Sequence, residues 1–258
     1  MKLPQLTCLA AAAAAAVVLT SGVAVAATPA GGLHNIVLVH GALVDSSGWR
    51  DVYDILARDG YHVTAVQEPL AGFDGDVAAT ARVLQRQDGP VLLVGHSYGG
   101  AVITAAGTDP RVKALVYVAA FAPDAGETIG ALNATLPTDA GKYLQVGADG
   151  YLSFAPAAQF AALVGSDLPA ATGNFMAASQ VLMAASSFGV KLTAAAWRDK
   201  PSFAIVATED KIISPALERS MYRRAGATVT EIKSGHMVYM SHPAEVAAVI
   251  ETAARSVH

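Results

Sequence analysis

The sequence predicts one α/β domain: a mostly parallel sheet of about six strands, helices on both faces, and a small helical cap. Three observations predict it. Short apolar runs alternate with amphipathic stretches along the chain, as in a parallel sheet with both faces covered. A glycine-rich turn follows an apolar run and leads directly into a helical pattern. One long segment, 122–200, interrupts the alternation and far exceeds what a crossover needs. With 258 residues, the chain is long enough for one sizeable core and short for two.

The elements follow in order. The run "NIVLVHG" (35–41) is the first strand, and a helix-like segment spans 47–59. "YHVTAVQ" (61–67) is the second strand. Residues 74–87 place Val77, Ala81 and Leu84 on one helical face. "PVLLVG" (90–95) is the third strand and "YGGAVITAAG" the helix after it. "KALVYVAAF" (113–121), "SFAIVATED" (202–210) and "ATVTEIK" (227–233) complete the six strands. Helical patterns at 217–225 and 244–254 close the chain. Inside 122–200, "AAQFAALV" and "GNFMAASQVLM" read as helical patches of a cap. A cap there would overhang the carboxyl ends of the strands, where open α/β sheets bind ligands.

The first 27 residues form a separate unit. They carry Lys2, no acidic residue, the apolar stretch "CLAAAAAAAVVLT" and then small residues. This is the pattern of a secretory signal peptide, cleaved near Ala26 or Ala27. The apolar run is short for a stable membrane anchor. Cleavage would leave a domain of 28–258, secreted or periplasmic. It would remove Cys8, the only cysteine, and with it any disulfide or thiolate chemistry. Losing Lys2 would leave 16 basic against 21 acidic residues, or −5 in place of −4. With no basic block, nucleic acid is not an expected partner. No metal-ligand cluster is visible.

The chemistry-bearing stretch is "VGHSYGG". Gly95-His96-Ser97-Tyr98-Gly99 fits G-x-S-x-G between a strand and a helix, the setting of a nucleophile elbow. Such a turn pushes Ser97 out of the sheet at a helix N-terminus. A serine hydroxyl needs a base, and the base needs a carboxylate. Asp210, in "VATEDKIISP", follows the fifth strand; His236, in "KSGHMVYMSHP", follows the sixth. Both would lie on the Ser97 edge, in the order Ser…Asp…His. His242 precedes Pro243 and reads as a helix entry, so His236 is preferred. Asp124, in "FAPDAG", also follows a strand and competes for the acid role, but it breaks the order. Acyl transfer also needs donors for a developing oxyanion. The Tyr98 and Ala42 N–H groups are the candidates, with Gly41 admitting the backbone.

From about Asn35 to Val257 the chain resembles the α/β-hydrolases of the small hydroxynitrile lyase and methylesterase-like group. The resemblance rests on "VLVHGA", "YHVTAVQ", "VGHSYGG", "TEDKIISP" and "SGHMVYMSHP". It implies the α/β-hydrolase fold, a Ser-His-Asp triad without cofactor, and a minimal sheet lacking the N-terminal hairpin of larger relatives. Lyases of that group carry threonine after the oxyanion-loop histidine and lysine after the catalytic histidine. Here those positions are Gly41 and Met237.

The expected function is therefore a secreted serine esterase cleaving small carboxylic esters through an acyl-enzyme. A lyase acting on cyanohydrins and a non-catalytic ligand-binding relative are the alternatives. Gly41, Phe121, Trp197 and Met237 are expected to line the substrate pocket, with Tyr98, Phe154, Phe175 and Phe188 as further wall candidates. Gly41 is expected to leave room beside Ser97. Lys191, Arg198 and Lys200 are the cap cations within sequence reach. The expected partner is a small ester, and no cofactor or metal is expected.

Overall fold

A computed structural model describes residues 32–257. The leader, with Lys2, Cys8 and both cleavage positions, lies outside the described residues, as does His258. Six strands form one sheet: β1 (Asn35–Val39), β2 (His62–Val66), β3 (Val91–His96), β4 (Val112–Val118), β8 (Ser202–Ala207) and β9 (Thr228–Ile232). Their spatial order is β2-β1-β3-β4-β8-β9, and each neighbouring pair is parallel. The order reverses between β1 and β3, so the carboxyl ends of those two strands flank a crevice.

Burial explains which strands read clearly. Every residue of β1 and β3 is buried. The edge strands are covered less: β9 exposes all its residues but Ile232, and β2 fully buries only Val66. Helices α1 (Arg50–Arg58) and α9 (Pro243–Ser256) pack together on one face. Helices α2 (Phe73–Leu84) and α3 (Gly99–Ala106) pack together on the other. Helix α1 is amphipathic, turning Val52 and Leu56 inward, with Asp51 in its first turn and Arg58 in its last. Helix α3 is buried almost all round and touches β1, β3 and β4, which holds its first turn firmly beneath the crevice.

Between β4 and β8 the chain leaves the sheet and builds the cap. The cap contains α4 (Ile129–Thr135), α5 (Ala157–Leu163) and α6 (Ala170–Ala178). It is not purely helical. Strands β5 (Leu144–Val146), β6 (Tyr151–Phe154) and β7 (Met183–Ala184) form a small antiparallel sheet. These strands are two to four residues long, too short to show an alternation in sequence. Helix α7 (Pro215–Arg224) then links β8 to β9, and a single turn, α8 (Val238–Ser241), precedes α9.

Candidate active site

Ser97 follows β3 with φ +53°, a left-handed conformation that a serine adopts only when its surroundings enforce it. Its N–H donates to Val118 O at 3.3 Å, and its carbonyl accepts from Gly100 N–H at 3.0 Å and Phe121 N–H at 3.1 Å. The glycines make the turn possible. A Cβ on Gly95 would sit 2.6 Å from Gly99 O, and one on Gly99 would strike the His40 carbonyl. Any side chain at either position would force α3 away from the sheet.

Three strand ends bring the predicted residues together. His236 Nε2 lies 2.9 Å from Ser97 Oγ, and His236 Nδ1 lies 2.6 Å from Asp210 Oδ2. Asp210 Oδ1 accepts from Ile212 N–H at 2.6 Å and Ile213 N–H at 3.0 Å. With the acid accepting at Nδ1, that nitrogen carries the proton and Nε2 is the acceptor toward the hydroxyl. All three residues are buried, His236 at 3% exposure. Asp124 is elsewhere. It takes both Arg198 Nε–H at 2.7 Å and an Nη2–H at 2.6 Å, and this guanidinium holds its carboxyl below the usual range.

The loop after β1 carries the second candidate donor, the Ala42 N–H. His40 Nε2 accepts from Glu68 N–H at 3.0 Å, so its Nδ1–H donates to Gly41 O at 2.9 Å. Burial keeps this imidazole below its usual value and pushes the Glu68 carboxyl well above its own. Both shifts disfavour an ion pair across their 3.8 Å approach. Anchoring the Gly41 carbonyl on His40 orients the next peptide. The Ala42 and Tyr98 N–H groups meet no protein acceptor among the described residues, and both residues line the pocket above Ser97. Tyr98 itself is fixed by its hydroxyl, which donates to Asp76 Oδ2 at 2.6 Å.

Two residues that the sequence reading did not single out support the triad. His96 is completely buried, which pushes its imidazole well below the usual value. Its Nε2–H donates to the His236 carbonyl at 3.0 Å and ties the histidine loop to the elbow. Glu218 is buried behind Asp210. Its Oε2 accepts from Ala207 N–H at 3.2 Å, and its Oε1 has no partner. Burial, and then the adjacent Asp210 charge, push its carboxyl well above the usual range. The signal for His96 was its place inside the motif. Glu218 reads in sequence as an ordinary helical acid.

The pocket over Ser97 contains about 730 Å³ including its opening to solvent. Its core-side lining includes Ala42, Leu43, Val44, Phe121 and Met237; the cap adds Leu144, Leu152, Phe154, Phe160 and Phe188. Phe121, Met237, Tyr98, Phe154 and Phe188 therefore stand where expected. Three wall assignments need correction. Trp197 is outside the pocket: its indole N–H donates to Pro123 O at 2.9 Å, and the Arg198 and Arg224 guanidinium groups lie 5.5 and 5.6 Å from its ring. Phe175 is 72% exposed and borders a separate cleft. Gly41 is no spacious wall, because a Cβ there would lie 2.9 Å from both His96 Nδ1 and Ser97 Cβ. It lets the loop press on Ser97. Of the cap cations, Arg198 is paired with Asp124, and Lys200 Nζ donates to the Asp109 and Val112 carbonyls. Among the described residues, no group of three or more His, Cys, Asp or Glu could hold a metal ion.

The model of the alpha/beta hydrolase family matches residues 36–249, and the chain belongs to that family. A carbendazim-hydrolysing esterase from Nocardioides sp. (strain SG-4G) is 33% identical over 114 residues. That match covers 38% of this chain and 46% of the esterase, less than half of either. Among solved structures, a pyrethroid hydrolase from Sphingobium faniae JZ-2 superposes with a TM-score of 0.74 at 22% identity, over 86% of this chain and 97% of that one. Polyneuridine aldehyde esterase gives 0.75 at 21% identity, over 85% and 98%. At these identities the two structures establish the shared fold.

Proposed function

We propose that the protein is a secreted serine hydrolase that cleaves small, neutral carboxylic esters. The observation that carries this reading is the continuous chain from Ser97 Oγ through His236 to Asp210, with separations of 2.9 and 2.6 Å, opening onto an apolar pocket. In the proposed reaction, Ser97 Oγ attacks the ester carbonyl as His236 Nε2 takes its proton. The carbonyl oxygen becomes negative and accepts from the Ala42 and Tyr98 N–H groups. His236 then returns the proton to the departing alkoxide, leaving an acyl group on Ser97. Water, deprotonated by His236 in turn, releases the acid. Asp210 holds the ring in the Nδ1–H tautomer and stabilises the imidazolium.

The esterase and hydrolase activities of the relatives support this reaction class. A cyanohydrin lyase needs a positive charge near the departing cyanide. Met237 lines the pocket with an uncharged thioether, neither Lys191 nor any other described lysine or arginine is among its lining residues, and Arg198 and Lys200 are engaged elsewhere. Secretion rests on the composition of residues 1–27 alone. The test is Ser97→Ala with a chromogenic short-chain ester. Turnover should fall by about 10⁴-fold or more while the circular dichroism spectrum stays unchanged, and wild type should release no cyanide from mandelonitrile above background. Wild-type turnover in Ser97→Ala, or Ser97-dependent cyanide release without ester cleavage, would refute the reading.

A further inference from the structure

Helices α5 and α6 form a close hairpin in the cap. A Cβ on Gly165 would lie 3.3 Å from Gly173 Cα, and one on Gly173 would lie 3.3 Å from Ala161 Cβ. The turn between the helices carries Asp167. The residue stands at the surface, but its Oδ2 points at the loop that bears His236. It accepts from Ser234 Oγ–H at 2.6 Å, Gly235 N–H at 2.9 Å and Ser241 Oγ–H at 2.7 Å. Burial alone would raise this carboxyl, and the hydrogen bonds more than offset it, holding it below the usual range. Gly235 is matched to the contact, since a Cβ there would lie 2.8 Å from Asp167 Oδ1.

The His236 loop has no regular structure and is held from two sides. From the core, Glu209 N–H donates to Ser234 O at 3.0 Å and His96 Nε2–H donates to His236 O at 3.0 Å. From the cap, Asp167 holds the Ser234 hydroxyl and the Gly235 N–H, two residues and one residue before the histidine. The cap also supplies the Leu144, Leu152, Phe154 and Phe160 walls. One carboxylate thus links the part of the molecule that seats the substrate to the part that moves the proton.

We infer that Asp167 is a positioning residue that sets His236 relative to a substrate held by the cap. The inference rests on the esterase reading above. It has a particular consequence. The Ser97–His236 hydrogen bond is preformed, so attack depends little on the cap. Proton delivery to the leaving oxygen depends on where the cap holds that oxygen relative to Nε2. Loss of Asp167 should therefore harm esters whose alkoxide must be protonated more than esters with a good leaving group.

The test compares ethyl and p-nitrophenyl butyrate with full-length Asp167→Asn, per folded protein. The ethyl ester should lose about tenfold or more in kcat and the p-nitrophenyl ester about threefold or less, as expected for a misplaced acid. A purely structural role would lower both esters by the same factor along with the melting temperature, and that outcome overturns the inference, as does wild-type kcat on both. Should Asp167→Asn fail to fold, Ser234→Ala removes one of the three bonds and is read the same way. Ser97→Ala serves as the control: if it stays active, the esterase reading fails, whereas an inactive Ser97→Ala beside an unaffected Asp167→Asn sinks this inference alone.

Discussion

The two walls of the pocket differ in kind. On the sheet side, Ser97, His236 and Asp210 form a buried polar chain with each contact at 2.9 Å or less, braced by His40, His96 and Glu218. On the cap side, the lining is almost wholly aliphatic and aromatic, with Asn133 as its polar exception. Directional hydrogen bonds fix the first wall to tenths of an ångström, whereas side-chain volume shapes the second. The difference teaches that reaction type and substrate choice reside in separate segments of the chain. Changes on the sheet side should alter kcat for every ester, and changes on the cap side should alter which ester is preferred.

The largest effect that would break this contrast lies at the acid. Asp210→Asn should lower kcat by about 10⁴-fold for all esters by favouring the wrong His236 tautomer. Steady-state kinetics over a range of acyl lengths checks this, and a loss confined to long acyl chains would mean that the two walls are not distinct. On the cap side, Phe188→Ala should shift the ratio of kcat/KM for bulky against small acyl groups by about tenfold toward the bulky ones. Its kcat on ethyl acetate should stay near wild type.

The smaller effects sharpen the contrast. Burial raises the folded-state pKa of Glu218 above its ordinary value of 4.5, so the folded protein binds this proton more tightly than the unfolded chain does. Below about pH 4.5 both states are protonated and the site costs nothing. As pH rises toward the folded-state pKa, the unfolded chain ionises and wild type loses stability. Glu218→Gln escapes that loss, so its melting temperature should gain on wild type by a few degrees between pH 5 and pH 8, as differential scanning fluorimetry would show. A difference that shrinks with rising pH would mean that Glu218 is ionised in the fold. Least affected should be Asp124→Asn. Its partner Arg198 is largely exposed, so water screens the pair, and both the melting temperature and kcat should be nearly unchanged.

The same division decided what could be read from sequence. The buried strands β1, β3, β4 and β8 are continuous apolar runs and stand out. The elbow has its own glycine pattern, and chain order then led to Asp210 and His236. The edge strands β2 and β9 are more polar runs, because less of their surface is covered. The cap followed no such rule. Its strands pair over two to four residues, so their partners depend on tertiary packing. Phe175 and Trp197 resemble pocket walls by composition, yet one faces solvent and the other braces Pro123. Asp167 and Glu218 are charged residues in turn and helix, where charge is ordinary; only three-dimensional proximity to His236 and Asp210 gives them meaning.

If Ser97 is the nucleophile of an ester hydrolase, a covalent serine probe should find it. The most direct measurement is intact-mass spectrometry after treatment with a diethyl p-nitrophenyl phosphate, followed by peptide mapping. One diethylphosphoryl group per chain is expected, located on Ser97, with ester cleavage lost in proportion to labelling. Full ester cleavage by an unlabelled chain, or labelling at another residue that tracks the loss of activity, would contradict that assignment.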